Sequence, residues 1–136
     1  MSIDISGTEG YAENAPALVE QWKSIAFAEH HAPVLRLIPA GPSDVLDIGA
    51  GIGTDAAAFA AMGHRVVAVE PVDQLRAAAV ALHSSPRIEW IDDGLPGLDV
   101  LRSRQRTFDL VMLTAVWMHL DEGQRQRAMP NVSSLV

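Results

Sequence analysis

The stretch DIGAGIGTD, residues 47–55, decides the fold class of this chain. It places a glycine at every second position, 49, 51 and 53, between a strand-like run, DVLDI, and an alanine-rich run, AAAFAAM. A strand, a glycine-rich turn and a helix in this order leave the free N–H groups of the helix N-terminus facing outward, beside about half a positive charge. The pattern predicts a turn that binds an anionic or electron-rich ligand.

On both sides of this turn the sequence alternates between the periods of strands and helices. The predicted strands are 44–48, 65–70, 87–91 and 107–115, and the predicted helices are 53–63, 72–85, 98–105 and 121–129. Strands without a polar face, separated by helices, indicate a parallel sheet covered on both sides. Right-handed crossovers make this a doubly wound, Rossmann-like α/β fold. We expect Gly63 to end the first of these helices and Pro130 to break the last.

Length and composition exclude several classes of protein. The 136 residues correspond to one domain, in which 1–40 are predicted to form an N-terminal arm or lid and 41–136 the α/β domain. A net charge of −7 argues against a nucleic-acid partner, and the absence of cysteine excludes disulfides and thiolate metal sites. We predict no metal site, and we expect His64 and His83 at the surface. The N-terminus lacks a signal-peptide pattern and no apolar run could span a membrane, which predicts a cytoplasmic protein.

Three ligands compete for the glycine turn. A nucleoside triphosphate requires the lysine of GxxxxGK[ST], and the turn contains none. A dinucleotide favours G-x-G-x-x-G, but the third glycine position is Thr54, and Asp47 would lie near a pyrophosphate. An NAD-dependent oxidoreductase fragment therefore remains as the weaker alternative. The third ligand carries an amino-acid end, whose ammonium group suits Asp47 while the helix N-terminus receives its carboxylate.

The segment VLDIGAGIG resembles the first motif of class I S-adenosylmethionine-dependent methyltransferases, an acidic residue followed by G-x-G-x-G. The resemblance implies S-adenosyl-L-methionine as cofactor and S-adenosyl-L-homocysteine as product. It also implies that Asp47 holds the methionine amino group and that the turn packs against the ligand. The residues so implied are Asp47, Gly49, Ala50, Gly51 and Gly53. A turn whose glycines serve packing alone is the alternative.

The second strand ends in RVVAVEP, which places Glu70 and Pro71 at its carboxyl end. A carboxylate at this point can accept hydrogen bonds from both ribose hydroxyls, and such charge-assisted bonds are strong. NAD-binding folds use the same position. Glu70 therefore predicts a nucleoside ligand without deciding which one.

The third strand is followed by WIDDGLPGL, which resembles the D-x-L-P adenine segment of the same family. The resemblance implies that Asp93 accepts the adenine amino group, that the N–H of Gly94 reaches a ring nitrogen and that Leu95 packs on the ring. Asp92 competes for the role of Asp93, which we favour. The alternative is a turn in which both carboxylates bind backbone N–H groups only.

The fourth strand and its continuation, FDLVMLTAVWMHL, resemble the family's fourth strand and the mouth beyond it. This implies that Thr114 contacts the cofactor and that Val116 and Trp117 line the substrate mouth, with Tyr11 from the N-terminal arm. His119 is the candidate catalytic base, because an imidazole can accept a proton near neutral pH. A structural histidine at the start of the next helix is the alternative.

The predicted function is methyl transfer from S-adenosylmethionine to a small-molecule acceptor, by a complete enzyme or by its cofactor-binding part. Family members usually have seven strands and only four are predicted here, so we expect a fold truncated after the fourth strand. That strand is apolar and would leave an open edge, so either the chain is a fragment of a longer fold or a partner chain, such as a second copy, covers that edge. A non-catalytic nucleoside-binding or dimerising module is the alternative from another functional class.

Overall fold

The computed structural model describes residues 36–114 and 116–136. The strands are β1 (Asp44–Ile48), β2 (Arg65–Val69), β3 (Ile88–Ile91) and β4 (Leu110–Met112). The helices are α1 (Thr54–Ala61), α2 (Asp73–Leu82), α3 (Asp99–Ser103) and α4 (Glu122–Ser133), and a 3-10 turn, Trp117–His119, precedes α4. Most of the predicted N-terminal arm, including Tyr11, lies outside the described residues, and its assignment as a lid stays a prediction.

The four strands form one parallel sheet in the order β3-β2-β1-β4. The chain moves outward from β1 through β2 to β3 and then returns to place β4 on the other side of β1. The direction of winding therefore reverses between β1 and β4, and in open α/β sheets ligands bind outside the carboxyl ends of the strands at this point. The predicted doubly wound α/β fold is confirmed.

Two apolar clusters cover the two faces of the sheet. Successive residues of β1 point to opposite faces, so Val45 packs with Phe59 of α1, whereas Leu46 packs with Leu101 of α3 and Val132 of α4. Val45, Leu46 and Phe59 have no exposed surface. Burial of each such side chain contributes about 1.5–3 kcal/mol, so β1 is held by packing on both faces of the sheet.

The first helix ends as the sequence predicts. Met62 is its C-terminal cap, and Gly63 follows with a φ of 96°, in the left-handed region that glycine adopts without strain. This turn leads the chain directly into β2. The short connection keeps α1 against the sheet, with its N-terminus at the carboxyl end of β1.

Pro130 does not break α4, contrary to the prediction. The helix runs through it, and Asp121 and Gln124 form a reciprocal capping box at its start. Ala128 and Val132 lie buried in the core on either side of the proline. Capping and burial together outweigh the one backbone hydrogen bond that proline cannot make.

The fourth strand is shorter than the predicted 107–115, with only Leu110–Met112 paired. Among the described residues β4 pairs with β1 alone, so it forms the edge of this sheet instead of its middle. Its three side chains are half-buried. Association of copies through this edge stays a prediction.

His64 is buried, and its predicted surface position is wrong. It is 1% exposed, and its Nδ1 accepts a hydrogen bond of 3.1 Å from the backbone N–H of Ser43. Its ring centroid lies 6.2 Å from that of Phe59. A histidine ring can be buried where a backbone N–H donates a hydrogen bond to it. The sequence around His64 does not indicate that Ser43 provides this donor. His83 is half-buried.

Candidate functional site

The glycine turn connects the carboxyl end of β1 to α1. Gly49, Gly51 and Gly53 have φ values of 72°, 59° and 86°, all in the left-handed region. The carbonyl oxygen of Val69, at the end of β2, accepts hydrogen bonds from the N–H groups of Gly49 (2.8 Å) and Ala50 (2.9 Å). The turn is thus fixed to the neighbouring strand, and each glycine occupies a conformation that costs other residues about 1–2 kcal/mol.

Two of these glycines also permit close packing. A Cβ atom on Gly49 would lie 2.4 Å from Cγ2 of Val116, which follows β4. A Cβ atom on Gly53 would lie 2.8 Å from Cζ2 of Trp90 in β3. Close packing therefore explains two of the three glycines: Gly49, which contacts Val116, and Gly53, which contacts Trp90.

Replacement of Gly49 by Ala is expected to destabilise the fold by about 2–4 kcal/mol, from the left-handed φ and from overlap with Val116. In the double variant Gly49→Ala, Val116→Ala the overlap is removed, so its loss should be smaller than the sum of the two single losses. Urea denaturation of the four proteins measures this coupling. Additive losses would show that Gly49 does not contact Val116 as described.

Asp47 is the most unusual residue of the site. It is 2% exposed, and among the residues that the structure describes its Oδ2 has no hydrogen-bond partner. Burial raises the pKa of this carboxyl well above 3.8, and the charges of Asp55 and Glu70 raise it further. A buried carboxylate oxygen without a partner is costly unless a cationic donor reaches it. The geometry of Asp47 therefore fits an ammonium group, as its sequence position implies.

Glu70 spans the gap between the glycine turn and α2. Its Oε1 accepts a hydrogen bond from the N–H of Gly51 and its Oε2 accepts one from the N–H of Val72, both 2.9 Å long. Burial raises the pKa of Glu70, an effect that these two hydrogen bonds partly offset. Each carboxylate oxygen retains a further lone pair, so the two ribose hydroxyls can still donate to it. This structural role was not predicted from the sequence, and no local pattern signals it.

The loop after β3 holds its two acids differently. Asp93 accepts hydrogen bonds from the N–H of Gly94 at 2.9 Å and from that of Leu101, in α3, at 3.0 Å. Asp92 faces the guanidinium of Arg76, with 3.6 Å between Oδ1 and Nη1. Asp93 thus accepts hydrogen bonds from backbone N–H groups, which is the alternative that the sequence left open. The choice of Asp93 over Asp92 as the partner of the adenine stays a prediction.

Thr114 lies just beyond β4, next to the first turn of α1. Its hydroxyl donates a hydrogen bond of 3.0 Å to Oδ2 of Asp55. Asp55 was not among the predicted site residues. A sequence signal could have identified it: Asp55 lies two residues after the third glycine, in the first turn of the helix that begins at the predicted ligand-binding turn.

The remaining predicted residues border the same end of the sheet. Pro71 and Leu95 are buried at the ends of β2 and β3. Val116 and Trp117 are half-buried, whereas His119 is exposed at the end of the 3-10 turn. Within residues 36–114 and 116–136, no cluster of three or more His, Asp or Glu side chains could hold a metal ion.

A model of a protein family described as a methyltransferase domain matches residues 45–136. The matched region begins in β1 and includes the glycine turn, Glu70, the Asp92–Asp93 loop and the 3-10 turn. A search of curated proteins finds no match.

Solved structures with the same fold are similar to most of the chain. The N-methyltransferase NodS from Bradyrhizobium japonicum, in complex with S-adenosyl-L-homocysteine, has a TM-score of 0.75 and 22% identity over 96% of this chain and 68% of its own. A TehB-like SAM-dependent methyltransferase from Corynebacterium glutamicum has a TM-score of 0.71 and 21% identity over 93% and 67%. The 1,6-didemethyltoxoflavin-N1-methyltransferase of Burkholderia thailandensis has a TM-score of 0.68 and 21% identity over 100% and 61%.

These similarities confirm the predicted resemblance to class I S-adenosylmethionine-dependent methyltransferases. They also agree with the predicted cofactor, since the similar solved structures include complexes with S-adenosyl-L-methionine and with S-adenosyl-L-homocysteine. The chain spans between 61% and 68% of the length of these three relatives.

Proposed function

We propose, from the premise that this chain belongs to the family of methyltransferase domains, that its glycine turn binds S-adenosylmethionine and that the domain serves methyl transfer to a small-molecule acceptor. The observation that carries the proposal is the unpartnered Oδ2 of Asp47, buried beside a turn with three left-handed glycines. This carboxylate disfavours a pyrophosphate and fits the ammonium end of an amino-acid tail.

The other parts of the cofactor have partners along the carboxyl ends of the strands. The N-terminus of α1 receives the carboxylate of the tail. Glu70, already oriented by its two backbone hydrogen bonds, accepts the ribose hydroxyls through its remaining lone pairs. Asp93 or Asp92 accepts the amino group of the adenine, and the buried Leu95 packs near its ring.

When bound, the cofactor supplies a methyl group already activated by a sulfonium. The chain then has to align an acceptor atom in line with the methyl–sulfur bond and exclude water, so its contribution is mainly positioning. Val116 and Trp117 form the side of the site where an acceptor would enter. His119, exposed at this mouth, takes the proton of an acceptor that must lose one.

A small molecule is the acceptor that the observations favour. The net charge of −7 disfavours a nucleic acid, and one similar structure holds 1,6-didemethyltoxoflavin together with S-adenosylhomocysteine. In the described part of the chain, none of the helices has the length and apolar character needed to cross a bilayer. A cytoplasmic location stays a prediction from the sequence.

The test is calorimetric titration of the purified chain with S-adenosylmethionine, S-adenosylhomocysteine and NAD. We expect saturable binding of the first two and none of NAD. Asp99→Asn serves as the control for Asp47→Asn, because it removes an acid whose side chain is 80% exposed on α3. The control protein should bind S-adenosylhomocysteine like the wild type. Preference for NAD, or no binding by a chain shown to be folded, would contradict the proposal.

A second candidate is a cofactor-binding module without turnover. It is favoured by the edge position of the apolar β4 within the described sheet. Incubation with S-adenosylmethionine and a set of small amines and phenols separates the two. Formation of S-adenosylhomocysteine above the acceptor-free rate indicates an enzyme, and tight binding without it indicates the module.

A further inference from the structure

We propose that Asp55 is the second carboxylate of an ammonium-binding pair with Asp47, and that Thr114 positions it from the end of β4. This inference rests on the proposed function, because it assigns the residues that select the charged tail of the cofactor. The two acids enter from different elements, Asp47 from β1 and Asp55 from the first turn of α1, on either side of the glycine turn.

The two carboxylates lie at the same edge of the sheet, because Asp47 pairs with Met112 of β4 and Thr114, two residues after Met112, is hydrogen-bonded to Asp55. The charge of Asp55 is one cause of the raised pKa of Asp47, second only to burial. Repulsion between two carboxylates is costly in the ligand-free protein when one of them, here Asp47, is buried. An ammonium group between them relieves the repulsion and supplies a donor to the unpartnered Oδ2 of Asp47.

Thr114 fixes the direction of the Asp55 carboxylate. Its hydroxyl donates to Oδ2 of Asp55 at 3.0 Å, across 59 residues of sequence. A hydroxyl donor restricts the rotamer of a carboxylate, which can accept several hydrogen bonds at once. The contact predicted between Thr114 and the cofactor is therefore indirect: Thr114 is a positioning residue that acts through Asp55.

This arrangement predicts selectivity for ligands with an amino-acid tail. S-adenosylhomocysteine carries the ammonium group, whereas 5′-methylthioadenosine retains the adenosine and the thioether but has no tail. The carboxylate pair should contribute to the binding of the first ligand only. The ratio of the two dissociation constants then measures what the pair recognises, separately from the nucleoside site.

The experiment is calorimetric titration of wild type and variants with both ligands. Asp55→Asn should weaken S-adenosylhomocysteine about tenfold or more while changing 5′-methylthioadenosine by less than about twofold. Thr114→Val should act in the same direction with a smaller effect, and Thr114→Ser, which retains the hydroxyl, should restore the wild-type ratio. The matched control is Glu122→Gln, which neutralises an exposed acid in the first turn of α4 and should leave the ratio unchanged.

Three results would overturn the assignment. Equal weakening of both ligands by Asp55→Asn, with a lower melting temperature, would show a purely structural role. Tighter binding of S-adenosylhomocysteine would show that Asp55 faces the carboxylate of the tail, and unchanged binding would place it outside the site. A wild-type chain that binds neither ligand would instead refute the proposed function, on which the pair depends.

Discussion

Replacement of Asp47 by Asn is expected to make the ligand-free chain more stable and to reduce its affinity for S-adenosylhomocysteine about 10- to 100-fold. Ionisation of the wild-type carboxyl is unfavourable because the group is buried, 2% exposed, with Oδ2 unpartnered. Asn removes this charge and, with it, the attraction for an ammonium group. Stability and binding should therefore change in opposite directions, as expected for a residue retained for its function.

The pH dependence of the unfolding free energy tests whether ionisation of Asp47 destabilises the fold. Because the folded pKa of Asp47 is raised above 3.8, the folded chain binds more protons than the unfolded chain between the two values. The contribution of Asp47 to stability is therefore lost as pH rises through that window, and S-adenosylhomocysteine binding should strengthen over the same range. Urea denaturation and calorimetry at several pH values above 4 measure both trends, which should be weaker in Asp47→Asn, where the raised pKa of Glu70 still contributes. A variant less stable than wild type at every pH would contradict this account.

Replacement of Glu70 by Ala is expected to cost about 2–5 kcal/mol of folding free energy and to abolish measurable binding of S-adenosylhomocysteine. The stability loss arises because the N–H groups of Gly51 and Val72 lose their acceptors in a buried position. Glu70→Gln retains one carbonyl acceptor and should lose roughly half as much. Chemical denaturation of each variant measures the loss.

The control for Glu70 is Glu89→Ala. Glu89 pairs with Arg104 across a half-exposed surface of β3, so its loss should change stability by no more than about 0.5 kcal/mol. If Glu70→Ala were as mild as Glu89→Ala, the glycine turn would not depend on Glu70. If it bound S-adenosylhomocysteine normally, the ribose role of Glu70 would be wrong as well.

The sheet was predictable because its signals are local. β1 and β2 are short runs rich in Val, Leu, Ile and Ala, and the left-handed turn between β1 and α1 requires its glycines. Gly63, two residues after the last residue of α1, marks the end of that helix. The continuation of α4 through Pro130 was not predictable in this way. It depends on Ala128 and Val132 reaching a core built by distant strands.

In the site, too, the features signalled by local sequence were predicted, and the features that depend on contacts between distant segments were missed. Asp47 and Glu70 stand at strand ends where residue type and position suffice to nominate them. The hydrogen bonds of Glu70 to Gly51 and of Thr114 to Asp55 join segments 19 and 59 residues apart, so they exist only in the folded chain. The burial of His64 beneath the N–H of Ser43 is a third case of this kind.

The contact between Val116 and Gly49 has a consequence for how two ligands would share the site. A single side chain separates the turn from the segment that leads into the 3-10 turn, since a Cβ atom on Gly49 would meet Val116 at 2.4 Å. We therefore expect a ligand that displaces the turn to shift Val116 as well, and a ligand that displaces Val116 to shift the turn. If binding of the first ligand changes the binding free energy of the second, then binding of the second changes that of the first by the same amount, because linkage between two binding equilibria is reciprocal.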